Sequence, residues 1–571
     1  MSKVYDVAIV GGGPAASTAA SILLKYNPNL QVVICERETF PRDHVGESQL
    51  PPVSKILDEM GCWDKVEAAN FPIKVGATYR WGKSPELWDF EFVRSEAFVD
   101  EPRPAKFEGQ RKWTAFQVDR AVYDHILLDH AASLGCEVRQ GTKVSKIRRT
   151  GDRVDGFELE DGSVIQARYY LDGSGHIGTL RRAMGIRSEV PTSLQNIAVW
   201  DYWQNADWAV EIGVGGTRVQ VMSLGYGWIW FIPLSPTRTS IGLVVPAEYY
   251  KSCGLKYDQL YNKAINEESR IHSLIHNATN EGKLQTTTDW SFMAERHVGE
   301  NWFLIGESGG FADPVLAAGL TLTQMGAREA AYTLLELDRG KYPAAWLKEE
   351  FQSRQVRRVT NHIRFADYWY TANSQFAELK DFTKRLAADN GLDMSPEKAW
   401  AWLAQGGFID DDAGVGPAGF SLDQVKELAD FLGDIEYSET LTQNNVFKLD
   451  LSGAFWRDRA VYANGKILKS PAYVRGNNVL PVTGVFETVI GILERNSKVQ
   501  DIVANVQYLA QQHGGDQDYM ANVVVRIPEA LEALIQDGWV KASYDPSFPL
   551  PPKPHRVESM RWNRDPVQRE L

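Results

Sequence analysis

Cysteine is scarce in this chain. Cys35, Cys62, Cys136 and Cys253 are the only four in 571 residues, and their spacing matches neither a disulfide framework nor a metal-ligand set. Such scattered thiols are expected to be reduced core residues of a cytoplasmic protein. No uninterrupted apolar run approaches a membrane span, and the N-terminus enters an apolar segment without a charged-plus-apolar leader. Basic excess is missing as well. A net charge of −13 and an isoelectric point near 5.4 argue against nucleic acid and anionic membranes as partners. Internal repeats and low-complexity tracts are also lacking, which excludes a solenoid. With 44% apolar and 24% charged residues, what is left is a soluble globular protein of about three or four domain-sized units.

What is present begins at once. YDVAIVGGGPAASTAASILLKYNPNLQVVICERE, residues 5–38, reads as strand, glycine turn, helix, strand. Asp6–Val10 is an apolar run without helical period, which suits a strand buried on both faces. Gly11, Gly12 and Gly13 let the backbone turn sharply and leave bare N–H groups where a pyrophosphate sits. Pro14 fits the first helical turn, and Ala15 to Lys25 is rich in helix formers. Ala16 takes the place of the third fingerprint glycine, a position that governs helix–strand packing. Gln31–Cys35 is a second strand that ends at Glu36, placed to accept hydrogen bonds from a ribose. A glycine triplet alone is weak evidence, because turns use the same residues. The whole unit in register predicts a dinucleotide site. A second Gly-rich segment, GVGG at 213–216, joins two strand-like runs with no helix after it, so it is expected to be a hairpin. The chain therefore offers no obvious site for a nicotinamide cofactor.

Further along, several features each admit two readings. The loop with Arg42, Gly46, Glu47 and Ser48 either covers a cofactor or is a solvated connector. Residues 71–82, FPIKVGATYRWG, alternate, with Phe71, Ile73, Val75, Ala77 and Tyr79 on one face and Lys74, Gly76 and Thr78 on the other. For an isolated lysine, an exposed strand face is the commoner explanation. A helix led by Arg120 is expected to stop at Gly135, and a buried strand at 302–305 feeds another Gly-rich turn with a helix from about Ala317–Gly319. The 18 tryptophans pack a core or line an aromatic cavity. Beyond 340 the pattern becomes helical, polar and aromatic, with an acidic loop at 409–414. The stretch 445–545 alternates helices with short strands. Its PEALEALIQDGWVKA is similar to the helix-then-wing end of a winged-helix unit, and the Pro-rich tail from Pro546 is expected to run over the surface.

Four segments in order resemble FAD-dependent enzymes of the para-hydroxybenzoate hydroxylase fold: GGGPAA with Glu36, PRDHVGES, VDRAVYD, and GESGGFADP after a strand. Within that superfamily, GWIWFIPL is similar to the WxWxIP motif of flavin-dependent halogenases (Trp228, Trp230, Ile232, Pro233), and FADPVLAAG to the FxDPxxSxG motif of the branch acting on phenols and pyrroles. Lys74 falls where those halogenases carry their catalytic lysine. The likeness spans about residues 4–340. It implies an α/β, FAD-binding Rossmann-like core (about 1–70, 110–190 and 285–345), an antiparallel substrate sheet (about 71–109 and 190–284) and a mainly helical C-terminal region (346–571).

As the resemblance implies, FAD would be held by Gly11, Gly13, Pro14, Ala15, Ala16, Glu36, Arg37, Arg42, Glu47, Ser48, Arg120, Gly306, Glu307, Pro314 and Gly319. Two residues depart from the pattern. Glu307 replaces the usual Asp, which shifts a carboxylate by one methylene, and Ala317 replaces the motif Ser. The halide would lie against the N–H groups of Ala318 and Gly319, donors that a helix N-terminus supplies whatever the side chain. Leu316 stands where the tryptophan-specific branch has Glu, so free tryptophan is not the expected substrate. Reduced FAD from a separate reductase, oxygen and chloride, bromide or iodide would yield hypohalous acid. Lys74 would relay it to an electron-rich phenol, indole or pyrrole, while Trp228 and Trp230 wall off the flavin. The rival reading is an aromatic hydroxylase of the same fold.

Overall fold

In the computed structural model, residues 3–98, 101–190, 192–288, 291–389, 440–476, 478–516, 519–524, 526–551 and 560–562 are described. The chain forms two compact units. One comprises Met1–Gly391 with Asn464–Lys466 and Arg561–Leu571, and the other Leu392–Ala463 with Ile467–Met560.

The first unit is built on two large sheets, with a small three-stranded one beside them. In one, Val4–Val10 lies between the parallel strands Val32–Cys35 and Val164–Asp172. Glu137–Arg139 extends it at one edge, and Trp302–Leu304 pairs with Val164–Asp172. Ala8, Ile9, Val33 and Ile34 are fully buried, the outcome expected of a strand covered on both faces. The helix Pro14–Tyr26 packs so closely that Ala16 has no exposed surface, which is why a small residue stands there.

The second sheet contains Asn196–Gln204, Arg238–Pro246, Gly227–Pro233, Gly216–Leu224, Ile73–Arg80 and Trp88–Glu91, in that order. Its pairings are antiparallel except that Gly216–Leu224 runs parallel to Ile73–Arg80. One face, with Met222, Ile229, Phe231 and Leu243, buries against the helices Tyr257–Glu267 and Ser269–Leu274. The other carries Trp200, Trp228 and Trp230.

Three expectations change here. GVGG is a tight turn in which Ile212 and Gly216 bridge, and the strands on either side of it are not paired with each other. Each finds its partner elsewhere in the sheet. The chain after Pro546 does not only skirt the surface: Met560–Trp562 adds to the second sheet beside Trp88–Glu91. Cys253 is half-buried, unlike the three buried thiols. The helices Ala344–Thr371 and Lys380–Asp389 belong to the first unit.

In the second unit, Val446–Leu449 pairs with Val540–Ser543, and the helices Gly484–Leu493, Val499–His513 and Ile527–Gln536 pack around Trp539. PEALEALIQDGWVKA is accordingly a helix followed by a strand. The acidic loop at 409–414 lies outside the described residues. Among the described residues, no helix is long and apolar enough to cross a membrane.

Candidate active site

The glycine turn sits at the C-terminal end of the first sheet, where α/β sheets bind their ligands. Gly11 has φ +92°, and a Cβ there would lie 2.4 Å from the Gly173 carbonyl oxygen, so no other residue fits. Pro14 and Ala15 open the helix behind it. Glu36 is 5% exposed and accepts the N–H of Gly12 at 2.5 Å and that of Glu38 at 2.8 Å, bracing the turn. Arg37 points outward and pairs with Glu38 at 3.1 Å.

The 42–49 loop lies across this end. Arg42 comes within 3.5 Å of the Cβ position of Gly13, stacks on Phe40 and has a buried Nη1 without a partner among the described residues. Arg120 grips Asp124 with two hydrogen bonds of 2.7 and 2.9 Å and donates to the carbonyls of Val45 and Gly46 at 2.9 and 3.1 Å. Its guanidinium thus shapes the loop. Arg120→Lys loses the planar fork and is expected to cost about 1–2 kcal/mol, read by chemical denaturation.

Glu47 accepts the Tyr202 hydroxyl at 3.1 Å, and burial pushes its carboxyl up to about 7 against the pull of that bond and Arg120. Ser48 Oγ, Gln49 Nε2 and both ends of the Gln117 amide are buried without partners among the described residues. On the far side of the cleft Gly306 (φ +62°) packs against Thr323 and Ala15. Glu307 follows it, its carboxyl raised by burial and drawn back by Arg120. Pro314 begins a short turn to Leu316, Ala317 is left-handed at φ +52°, and Ala318 caps the helix Gly319–Arg339. That helix start opens toward Glu307, whose Oε1 is 3.9 Å from the Cβ position of Gly319.

Lys74 is 2% exposed. Its Nζ donates to the Gln49 carbonyl at 3.0 Å and lies 5.4 Å from the Phe92 ring centroid. The alternation seen in the sequence is real, and the lysine face is covered. Burial alone brings the amine down to about 7.

Trp228 and Trp230 stand 6.0 Å apart between Trp200 and Trp81. Trp369 and Tyr370 of the helix Ala344–Thr371 complete the cluster around Trp81. Ile232 and Pro233 end the motif strand, and Ile232 is buried. Gln49, Gln117, Asn196, Tyr202 and Tyr370 are the polar residues that motif reading missed. Asn196, Tyr202 and Tyr370 meet the motifs only through the fold.

FAD fits this cleft. The bare glycine turn, the unpartnered Arg42 Nη1, Ser48 Oγ and Gln117 amide, and the helix start at Gly319 supply hydrogen-bonding groups for its phosphate and ring system. Fold and site together define a flavoprotein of the FAD-dependent aromatic monooxygenase architecture.

The tryptophan halogenase family profile matches residues 6–101 and 95–378, and the chain belongs to that family. It is 30% identical over 386 residues to the 1H-pyrrole-2-carbonyl-[peptidyl-carrier protein] chlorinase of Pseudomonas fluorescens, covering 65% of this chain and 85% of that protein. With the tryptophan 2-halogenase of Chondromyces crocatus it shares 32% identity over 355 residues, 61% of this chain and 64% of the relative. Among solved structures, the myxobacterial chondrochloren halogenase CndH superposes with a TM-score of 0.59 at 26% identity, over 75% of this chain and 97% of the other. The flavin-dependent halogenase CmlS superposes at 0.71 over 98% and 99%, and its 22% identity is evidence of shared fold alone.

Proposed function

We propose that this protein is a flavin-dependent halogenase of electron-rich aromatic compounds of the phenol, indole or pyrrole type, with Lys74 as its catalytic residue. The observation that carries this reading is the enclosure of Lys74. An amine taken out of water, bonded to one carbonyl and brought down to about 7, exists at neutral pH partly as a free nucleophile. Bound reduced FAD supplies the electrons that activate oxygen, and so the means to oxidise a halide to the hypohalous level.

The N–H groups of Ala318 and Gly319 hold chloride, bromide or iodide at the helix start. Trp228 and Trp230 keep organic molecules from that side, so that oxygen is not transferred to substrate directly. At Lys74 the amine either hydrogen-bonds hypohalous acid or takes up its halogen, with loss of water, as a haloamine. The aromatic ring takes the halogen from the amine and gives up a proton, which returns the amine. Reduced FAD comes from a separate reductase, a reading supported by the single dinucleotide fingerprint in the sequence. The name of the Pseudomonas chlorinase makes a carrier-tethered substrate one candidate for this chain.

The test supplies reduced FAD, oxygen and each halide with a panel of phenols, indoles and pyrroles, read by mass. Halogen-bearing products are expected. Mass gains of oxygen alone would replace this reading with aromatic hydroxylation. A second check is pH. Below about 7 Lys74 carries its proton and cannot accept halogen, so the halogen-transfer rate should climb about tenfold per pH unit up to that value and level off above it. A flat profile in single-turnover measurements would argue against the free amine.

A further inference from the structure

We propose that Asp313, through Tyr370, is the joint that ties the halide cradle to the tryptophan wall, which makes the helix Ala344–Thr371 part of the active site. The inference rests on the halogenase reading above and assigns positioning residues to it.

Asp313 Oδ1 accepts the Val315 N–H at 2.9 Å and so caps the turn Pro314–Leu316. Directly after that turn the backbone passes through left-handed Ala317 into Ala318 and Gly319. A left-handed non-glycine residue persists only where its surroundings hold it, and the Asp313 cap fixes the turn that leads directly into it. The same Oδ1 accepts the Tyr370 hydroxyl at 3.1 Å. That hydroxyl in turn accepts Trp228 Nε1 at 2.7 Å and Asn196 Nδ2 at 3.2 Å, and Asn196 Nδ2 also reaches Asp313 Oδ2 at 3.0 Å. Trp228, Asp313, Asn196 and Tyr370 are each no more than 2% exposed. Water cannot replace a lost partner there, so a shift of the Trp228 ring is transmitted to the carboxylate that sets the cradle. With one proton and two incoming donors, the Tyr370 hydroxyl is fully engaged. It therefore acts by position and not on substrate.

Tyr370→Phe removes only the hydroxyl, and the ring can keep its places beside Trp81 and Phe376. Melting temperature is expected to fall, the cost of the stranded Trp228 and Asn196 donors, with the fold and the affinity for oxidised FAD retained. The halide KM should rise about tenfold while the KM of the aromatic substrate moves less than about twofold. Halogenated product per oxygen consumed should fall. Halide binding is also read without turnover, from the halide-dependent absorbance of bound oxidised FAD, and should weaken in parallel. Asp313→Asn, which keeps an acceptor for Val315 but loses the charge, is expected to shift the halide terms in the same direction. Asn196→Ala carries the same decision if Tyr370→Phe does not fold.

Folded variants with wild-type halide KM, halide binding and oxygen coupling would overturn the joint. So would equal changes in both KM values, the pattern of a purely structural role. If the wild type itself makes no halogenated product, the halogenase reading fails first and the joint falls with it. A halogenating wild type with unaltered variants sinks the joint alone.

Discussion

Lys74→Met should abolish halogenation and, at the same time, make the protein more stable. The activity loss is expected to be about a hundredfold to ten-thousandfold, with oxygen consumption by the reduced flavin continuing. Product mass and oxygen uptake, measured side by side, check both halves. Unchanged halogenation would remove Lys74 from the mechanism.

The stability gain follows from linkage. The folded state holds the amine near 7 against an ordinary lysine value of 10.5, so between those pH values the unfolded chain binds the extra proton. The destabilisation is full below 7, shrinks as pH rises, and is gone above 10.5. The gap of 10.5 − 7 = 3.5, at about 1.4 kcal/mol per pH unit, corresponds to about 5 kcal/mol as an upper figure. Denaturation at pH 6 and pH 9 should show a larger advantage of Lys74→Met at pH 6. A variant no more stable than wild type at pH 6 would mean that the lysine is not buried in solution.

Gly242→Ala should dismantle the tryptophan wall. Gly242 lies opposite both Trp200 and Trp230 in the sheet register, and a Cβ there would sit 2.1 Å from Cζ2 of Trp230. The ring is held by its own bond to Ser240 at 3.1 Å and by Trp200 and Trp228 on either side, so one methyl group cannot be absorbed without moving it. Overpacking of this kind costs about 1–3 kcal/mol. The functional effect should be larger, since displacing the wall opens the flavin side to water and substrate. Halogenated product per oxygen consumed is expected to drop at least about tenfold, with oxygen-bearing or peroxide products in its place. Adding Trp230→Val to Gly242→Ala should recover the stability and leave the coupling low. A single variant that couples oxygen to halogenation as well as wild type would show that the wall does not act as a barrier.

Much of this architecture was legible before any coordinates. Strand, glycine turn, helix and Glu36 form one local unit, because each residue there answers to its neighbours: apolar runs for buried strands, Gly11 for a positive φ, Ala16 for a close helix. The alternation around Lys74 and the WxWxIP strand were readable for the same reason, since side chains on a strand change face with every residue. GVGG misled because strand pairing is not local. The strands around it are separated in the sheet by the chain from 227 to 246. The tail after Pro546 misled in the same way, its last strand finding an edge more than 450 residues back in the chain.

By itself the sequence determined the cofactor-binding unit and, through its motifs, pointed to the class of chemistry and to Lys74, because those depend on residue types at short spacing. Whether Lys74 is enclosed or wet was decided only by the tertiary structure, which lays the 42–49 loop and Phe92 over it. Tertiary structure alone also brought Tyr370 to Trp228 and Asp313, side chains 142 and 57 positions away in sequence. Burial and long-range hydrogen bonds are properties of packed surfaces, and no short stretch of sequence contains both sides of one.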